Sequence, residues 1–343
     1  MKRIVIFFTA ALCLQWGCAK KDTTSTGTQA QEYLNLWLNE YHPGVKASPS
    51  GVYILEEEVG SGSAWNSETS ASLLLTTIRS LNGVISTTGH EEYAKQLGTY
   101  AAGNYYGPVV TFTQSGYAGV EAILTGMREG GTRTAVVPSW LLTTDRYSTQ
   151  KEYLDACTNS THLIYTITFT GQADDVAKWE QNSLKDYVRA HLGNTVQVTS
   201  FNDATQEADI FYFGSNAASV QEGQEPIASG KNYQLNYTGR LLNGQVFDTT
   251  IEKVAKDNGI YDSSRTYAPV TITTADSYEN YALGGSTGLV DGFKGALSLM
   301  KYVGEQGTAL FTSSLGYTSS GSGKSIPPYA PLRFDLEIVS LNE

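Results

Sequence analysis

Two stretches of this 343-residue chain share one pattern, and a chain that repeats itself is expected to fold as copies of one unit. The first is Tyr117-Ala-Gly-Val-Glu-Ala-Ile-Leu-Thr-Gly-Met127, the second Val290-Asp-Gly-Phe-Lys-Gly-Ala-Leu-Ser-Leu-Met300. Val120, Ile123, Leu124 and Met127 fall at i, i+3, i+4 and i+7, as do Phe293, Ala296, Leu297 and Met300. That spacing predicts one apolar face of a short helix in each copy. Gly119 or Gly292 enters each helix, and Gly130 or Gly304 follows its end.

Other pieces recur in the same order. Arg79-Ser-Leu-Asn-Gly83 matches Arg240-Leu-Leu-Asn-Gly244, and Asn-Gly is a strong hairpin signal because both residues tolerate positive φ. Leu163, Tyr165, Ile167 and Phe169 alternate with polar residues, as do Leu332, Phe334, Leu336 and Ile338, which predicts a half-buried strand in each copy. A helix is expected before each copy. Leu34, Trp37, Leu38 and Tyr41 share one face, ended by His42-Pro43-Gly44. In the second helix Asp174 or Asp175 supplies a cap, Trp179, Ser183 and Tyr187 follow at helical spacing, and Gly193 terminates. The plan is helix plus antiparallel β-domain, twice.

The N-terminus reads as targeting. Lys2 and Arg3 precede an apolar run from Ile4 to Leu14, too short to span a bilayer, which needs about 20 residues. Gly17-Cys18 and a polar stretch follow. This resembles a bacterial lipoprotein signal over residues 1–18, with Cys18 as lipid anchor and residues 19–28 as a flexible tether. The expected setting is an exported lipoprotein of the cell envelope, in the periplasm or outer membrane. Cys13 is lost with such a signal, so Cys157 stands alone and is expected as a half-buried thiol without a disulfide. The four histidines lack metal-ligand spacing, so no metal is expected. A net charge of −11 argues against nucleic acid as a partner.

The second copy carries a specific set of motifs. Tyr237-Thr-Gly-Arg-Leu-Leu-Asn-Gly-Gln-Val-Phe-Asp-Thr-Thr250 resembles the first signature of FKBP-type peptidyl-prolyl isomerases. Leu289-Val-Asp-Gly-Phe293, with Met300 and Gly304, resembles their pocket-floor helix. Leu315-Gly-Tyr317 and Ile326-Pro-Pro-Tyr-Ala-Pro-Leu-Arg-Phe334 resemble the closing loop and last strand. The resemblance covers about residues 228–343 and implies an α+β fold, an antiparallel sheet wrapped around one short helix. Two FKBP-like domains are expected: a degenerate one over 29–172, a linker helix over 173–193, and the isomerase domain over 194–343.

The resemblance also implies the site. Tyr237, Phe247, Asp248, Phe293, Tyr317 and Phe334 would be catalytic, with Val270, Ile272, Leu289, Val290 and Ile326 binding substrate. Phe293 stands where the family often has Trp. Ile251 to Ala268 and Thr273 to Gly288 are long where the family is compact. In the first copy Thr76 falls at the Tyr237 place, Ile85 at Phe247, Ser86 at Asp248, Val120 at Phe293 and Thr143 at Tyr317, so its pocket residues are lost.

The implied chemistry needs no cofactor. An Xaa-Pro bond crosses a barrier of about 18–20 kcal/mol set by amide resonance. The twisted amide has less charge on its carbonyl oxygen and prefers an apolar slot. A catalyst must hold that twisted form better than the planar one. Phe247, Phe293 and Phe334 would form the slot, Tyr317 would donate to the substrate carbonyl, and Asp248 would orient the walls. The expected partners are proline-containing unfolded or extended polypeptides, and the membrane through the lipid. A non-catalytic peptide-holding lipoprotein uses the same residues and is the alternative.

Overall fold

The structure, a computed structural model, describes residues 25–193, 197–199, 210–214 and 224–342. The targeting segment and Cys18 lie outside the described residues. The first helix, α1 (Thr26–Tyr41), starts where the Ser25 side chain accepts the Thr28 N–H at 3.2 Å. It therefore takes in the last residues expected as tether. Ala30, Leu34 and Leu38 are buried along one stripe, while Tyr41, expected on that face, is 65% exposed.

Six strands form the first sheet: β1 (Tyr53–Glu58), β2 (Ala71–Ser80), β3 (Ile85–Thr88), β4 (Val109–Thr111), β5 (Thr132–Val137) and β6 (Leu163–Ala173). The second holds β7 (Gln197–Thr199), β8 (Ile210–Gly214), β9 (Asn232–Leu241), β10 (Val246–Thr249), β11 (Val270–Thr273), β12 (Ala282–Leu283), β13 (Gln306–Phe311) and β14 (Leu332–Leu341). The chain is α+β, and every strand pairing among the described residues is antiparallel.

The two sheets have one strand order. β1-β5-β6-β2, with β3 and β4 both on β2, matches β8-β13-β14-β9, with β10 and β11 both on β9. The hairpins match too. Gly83 (φ 86°) and Gly244 (φ 90°) close identical turns, with their N–H donated to Ser80 and Leu241 at 2.9 Å. One short helix packs in each half: α3 (Ala118–Leu124) and α7 (Asp291–Leu299). A Cβ on Gly119 would collide with Val137, and one on Gly292 with Phe311. Glycine thus lets each helix lie against the end of its strand. Ile123 and Leu124 join Ile167 and Phe169 in one core, and Phe293, Ala296 and Leu297 join Leu332 and Ile338 in the other.

Each half carries an extra helix not expected from the sequence. α2 (Glu91–Gln96) sits between β3 and β4, as α6 (Glu252–Asp257) sits between β10 and β11. Lys95 and Lys256 each pair with a glutamate at 2.5 Å and lie over Tyr100 and Tyr261 at 4.9 and 4.7 Å. Those tyrosines stack on Tyr106 and Tyr267 at 5.5 and 5.4 Å. The long segment of the second copy thus belongs to the repeat itself.

Two helices remain. α4 (Gln150–Ala156) begins with a capping box of Thr149 and Glu152 and lies against α1. α5 (Val176–His191) joins the halves, capped by Asp175 and ended at Gly193 (φ 75°). Its buried face is Val176, Glu180, Leu184 and Val188. Trp179, Ser183 and Tyr187 flank that face instead of forming it, because the helix packs on Leu310 of β13.

Candidate active site

The β9–β14 register builds the site. Tyr237 lies opposite Leu336 and Gly239 opposite Phe334. A Cβ on Gly239 would lie 2.9 Å from Phe334 Cε1 and closer still to Phe247, so two rings meet over bare backbone. Phe334 takes part in four ring contacts: with Phe293 at 4.9 Å, Phe247 at 5.6 Å, Phe311 at 5.7 Å and Tyr237 at 6.2 Å. Edge and tilted contacts dominate, the arrangement ring quadrupoles favour. Phe293 and Phe334 are buried, while Tyr237 and Phe247 are half-buried.

Tyr237, Phe247, Phe293 and Phe334 line a cavity of about 300 Å³, with Phe311 packed behind them. All six side chains expected as catalytic line it: Tyr237, Phe247, Asp248, Phe293, Tyr317 and Phe334. Leu289, Val290 and Ile326 line it as well. Val270 and Ile272 do not. β11 pairs Val270 with Leu235 and Ile272 with Tyr233, further along β9 from the Tyr237 row. Ile272 is wholly buried in the core and Val270 packs against that core.

Asp248 gathers the polar groups. It accepts the Tyr237 hydroxyl at 2.5 Å and the Thr249 N–H at 2.9 Å, and it forms an ion pair with Arg265. Burial first, and the Asp248 charge second, push the Tyr237 phenol well above its ordinary range, so it stays a donor. Burial raises Tyr317 too, with a smaller push from Asp248. The Tyr317 hydroxyl makes no hydrogen bond among the described residues, which leaves it available to a ligand carbonyl.

Sequence reading missed Arg265, Leu283, Gly288, Ser322 and Ser325. The last four line the cavity and Arg265 reaches Asp248. Arg265, Leu283 and Gly288 come from the two long segments, which carry no motif. Ser322 and Ser325 sit in a tight loop closed by paired Ser322 and Ile326 backbone bonds of 2.8 and 3.1 Å. At its neck Tyr329 (φ 57°) donates its N–H to Thr318 (φ 53°) at 2.9 Å.

Residues 223–339 match the family described as FKBP-type peptidyl-prolyl cis-trans isomerase. That segment is an FKBP-type domain. The macrophage infectivity potentiator of Trypanosoma cruzi is 28% identical over 121 residues, 35% of this chain and 48% of that protein. A probable FKBP-type isomerase of Haemophilus influenzae is 28% identical over 118 residues, 34% of this chain and 38% of the relative. The chain thus spans about half or less of the length of these two relatives. The FK506-binding protein of Neisseria meningitidis serogroup B is 28% identical over 125 residues, 36% of this chain and 93% of that one. Among solved structures, FkpA from Escherichia coli gives a TM-score of 0.31 at 18% identity, over 48% of this chain and 61% of that one.

The first half keeps the register but, of the ring places, only that of Phe334, where Tyr165 lies opposite Ile78. Thr76 lies opposite Ile167 as Tyr237 lies opposite Leu336. The expected match of Ile85 with Phe247 and Ser86 with Asp248 shifts by one residue. Ile85 pairs with Arg79 and Thr87 with Ile78, just as Val246 pairs with Arg240 and Asp248 with Gly239. Ser86 therefore takes the Phe247 place and Thr87 the Asp248 place. A bulge common to both hairpins sets this count. A cavity nonetheless persists there, lined by Thr76, Val120 and Thr144 where Thr143 was expected.

Proposed function

We propose that the second half catalyses cis–trans isomerisation of Xaa-Pro bonds in the cavity lined by Tyr237, Phe247, Phe293 and Phe334. The observation that carries this reading is the ring cluster around Phe334, within the segment that matches the FKBP family. A proline ring fits an apolar slot walled by edges and faces of aromatic rings. The amide it carries loses resonance as it twists, and an apolar wall stabilises that less charged form over the planar one. Tyr317 would hold the substrate carbonyl. Asp248, bridging Tyr237 and Arg265, would fix the wall so that little must reorganise during the twist.

The first half keeps a ring only at the Phe334 place, as Tyr165, so activity is assigned to the second half alone. The natural substrates would be exported polypeptides folding in the cell envelope, with the protein tethered there by a lipid on Cys18. Support for that setting is the targeting pattern of residues 1–18. The test is refolding of a protein whose slow phase is limited by prolyl isomerisation. The full chain should accelerate that phase, and Phe247→Ala should remove about tenfold or more of the effect. An unaccelerated slow phase would sink the proposal and leave the peptide-holding alternative.

A further inference from the structure

The first half holds a cavity of about 450 Å³ where the second half has its FKBP pocket, and no charged side chain lines it. Tyr165 keeps a ring at the Phe334 place and lines the cavity, while three other ring places hold smaller side chains. Val120 stands at the Phe293 place, Thr76 at the Tyr237 place and Ser86 at the Phe247 place. Leu74, Ile78 and Ile167 supply apolar wall, and Tyr117 stands 47% exposed among the lining residues.

One wall residue is unsatisfied. Thr113 is 1% exposed, and its hydroxyl has no hydrogen-bond partner among the described residues. Thr274 holds the matching place in the second half. There the hydroxyl is tied off, donating to Ala228 or Lys231 carbonyls at 2.9 and 3.0 Å and accepting the Lys231 N–H at 3.0 Å. A buried polar group without a partner is rare and costly. Because the Thr113 hydroxyl has no hydrogen bond to lose, turning it toward a ligand breaks no native hydrogen bond.

We infer that this cavity is a second binding site, which takes an aromatic side chain with a polar tip, as in tyrosine, from an extended polypeptide. The ligand's ring replaces the rings missing from the wall, and its hydroxyl meets Thr113. Hydroxyls of Thr76, Thr111 and Thr144 then serve the amides that flank the ring. Only the choice of a polypeptide as ligand rests on the isomerase reading.

The test uses the full chain and fluorescently labelled, proline-free hexapeptides with one central Tyr, Phe or Leu, followed by anisotropy. The Tyr peptide should saturate and bind about tenfold more tightly than the Phe peptide, the size of one well-placed hydrogen bond. Val120→Trp should fill the cavity and abolish binding while prolyl isomerase activity in the second half stays unchanged. Thr113→Val, nearly isosteric, should leave the fold intact and make Tyr and Phe peptides equal. No saturable Tyr binding, or binding that survives Val120→Trp, would overturn the inference. A Tyr preference that survives Thr113→Val would overturn the role of that hydroxyl. Binding of decanoate without binding of any peptide would overturn the ligand class. Isomerase activity is read separately, so loss of one reading leaves the other standing.

Discussion

Phe247 and Asp248 are neighbours in sequence yet do different work, because strand β10 sends them to different partners. Phe247 packs on Phe334, and Asp248 collects Tyr237, Thr249 and Arg265. Both were legible, since the stretch Val246-Phe-Asp-Thr249 is a local motif. Val270 and Ile272 were misread because only the pairing register tells how far along β9 a neighbour lies. His162 shows a residue whose role no motif announces. Its Nδ1 accepts the Ser139 N–H at 3.0 Å, and its Nε2–H donates to the Ala30 carbonyl at 3.0 Å, so it bridges α1 and the turn after β5 as a neutral ring. Burial lowers its pKa below 6.5. A base with a depressed folded pKa contributes stability in full above its unfolded pKa and loses it as pH falls through the folded value. Thermal stability should therefore decline as pH drops below about 6.5. Melting curves of the natural chain and His162→Gln across that range check this, and equal pH slopes would contradict it.

Among the elements, α5 was legible as a helix but not by its buried face. Its length and caps are written locally, whereas its face is chosen by β13 and the turn that follows. Glu180 is 3% exposed, and its carboxylate accepts the Ser313 N–H and hydroxyl at 2.5 and 2.7 Å. Burial raises its pKa and those two bonds oppose the rise. Glu180→Ala would leave both Ser313 donors unpaired, at about 2–3 kcal/mol. Chemical denaturation should show that loss, and a variant as stable as the natural chain would contradict the assignment. The matched helices α2 and α6 were legible in principle, as Glu91-x-x-Ala94-Lys95-x-x-Gly98-x-Tyr100 and Glu252-x-x-Ala255-Lys256-x-x-Gly259-x-Tyr261. They escape notice because each carries only one buried apolar position, Ala94 or Ala255, too little for a periodic signal.

The two halves of the molecule meet beside the second-half pocket. Tyr105, between α2 and β4, packs against the second core and donates its N–H to the Lys324 carbonyl at 2.7 Å. The Gln245 side chain donates to the Asn104 carbonyl at 3.0 Å, and Phe112 meets Tyr329 edge-on at 5.5 Å. The loop that carries Ile326 into the pocket is thus held from the first half, a contact no sequence period could announce. Tyr105→Ala should loosen that wall and lower kcat/KM about three- to tenfold, mainly through KM. Steady-state kinetics read the split, and unchanged constants would show that the halves act independently. The repeat itself remains the central fact: one strand order twice, with the aromatic pocket in the second half. Magnetisation-exchange NMR on a short Xaa-Pro peptide tests the functional claim most directly, with the full chain, Phe247→Ala and Val120→Trp compared side by side. The account requires cis–trans exchange faster than in free peptide, sharply reduced by Phe247→Ala and untouched by Val120→Trp. Exchange no faster than in free peptide, or lost only with Val120→Trp, would contradict it.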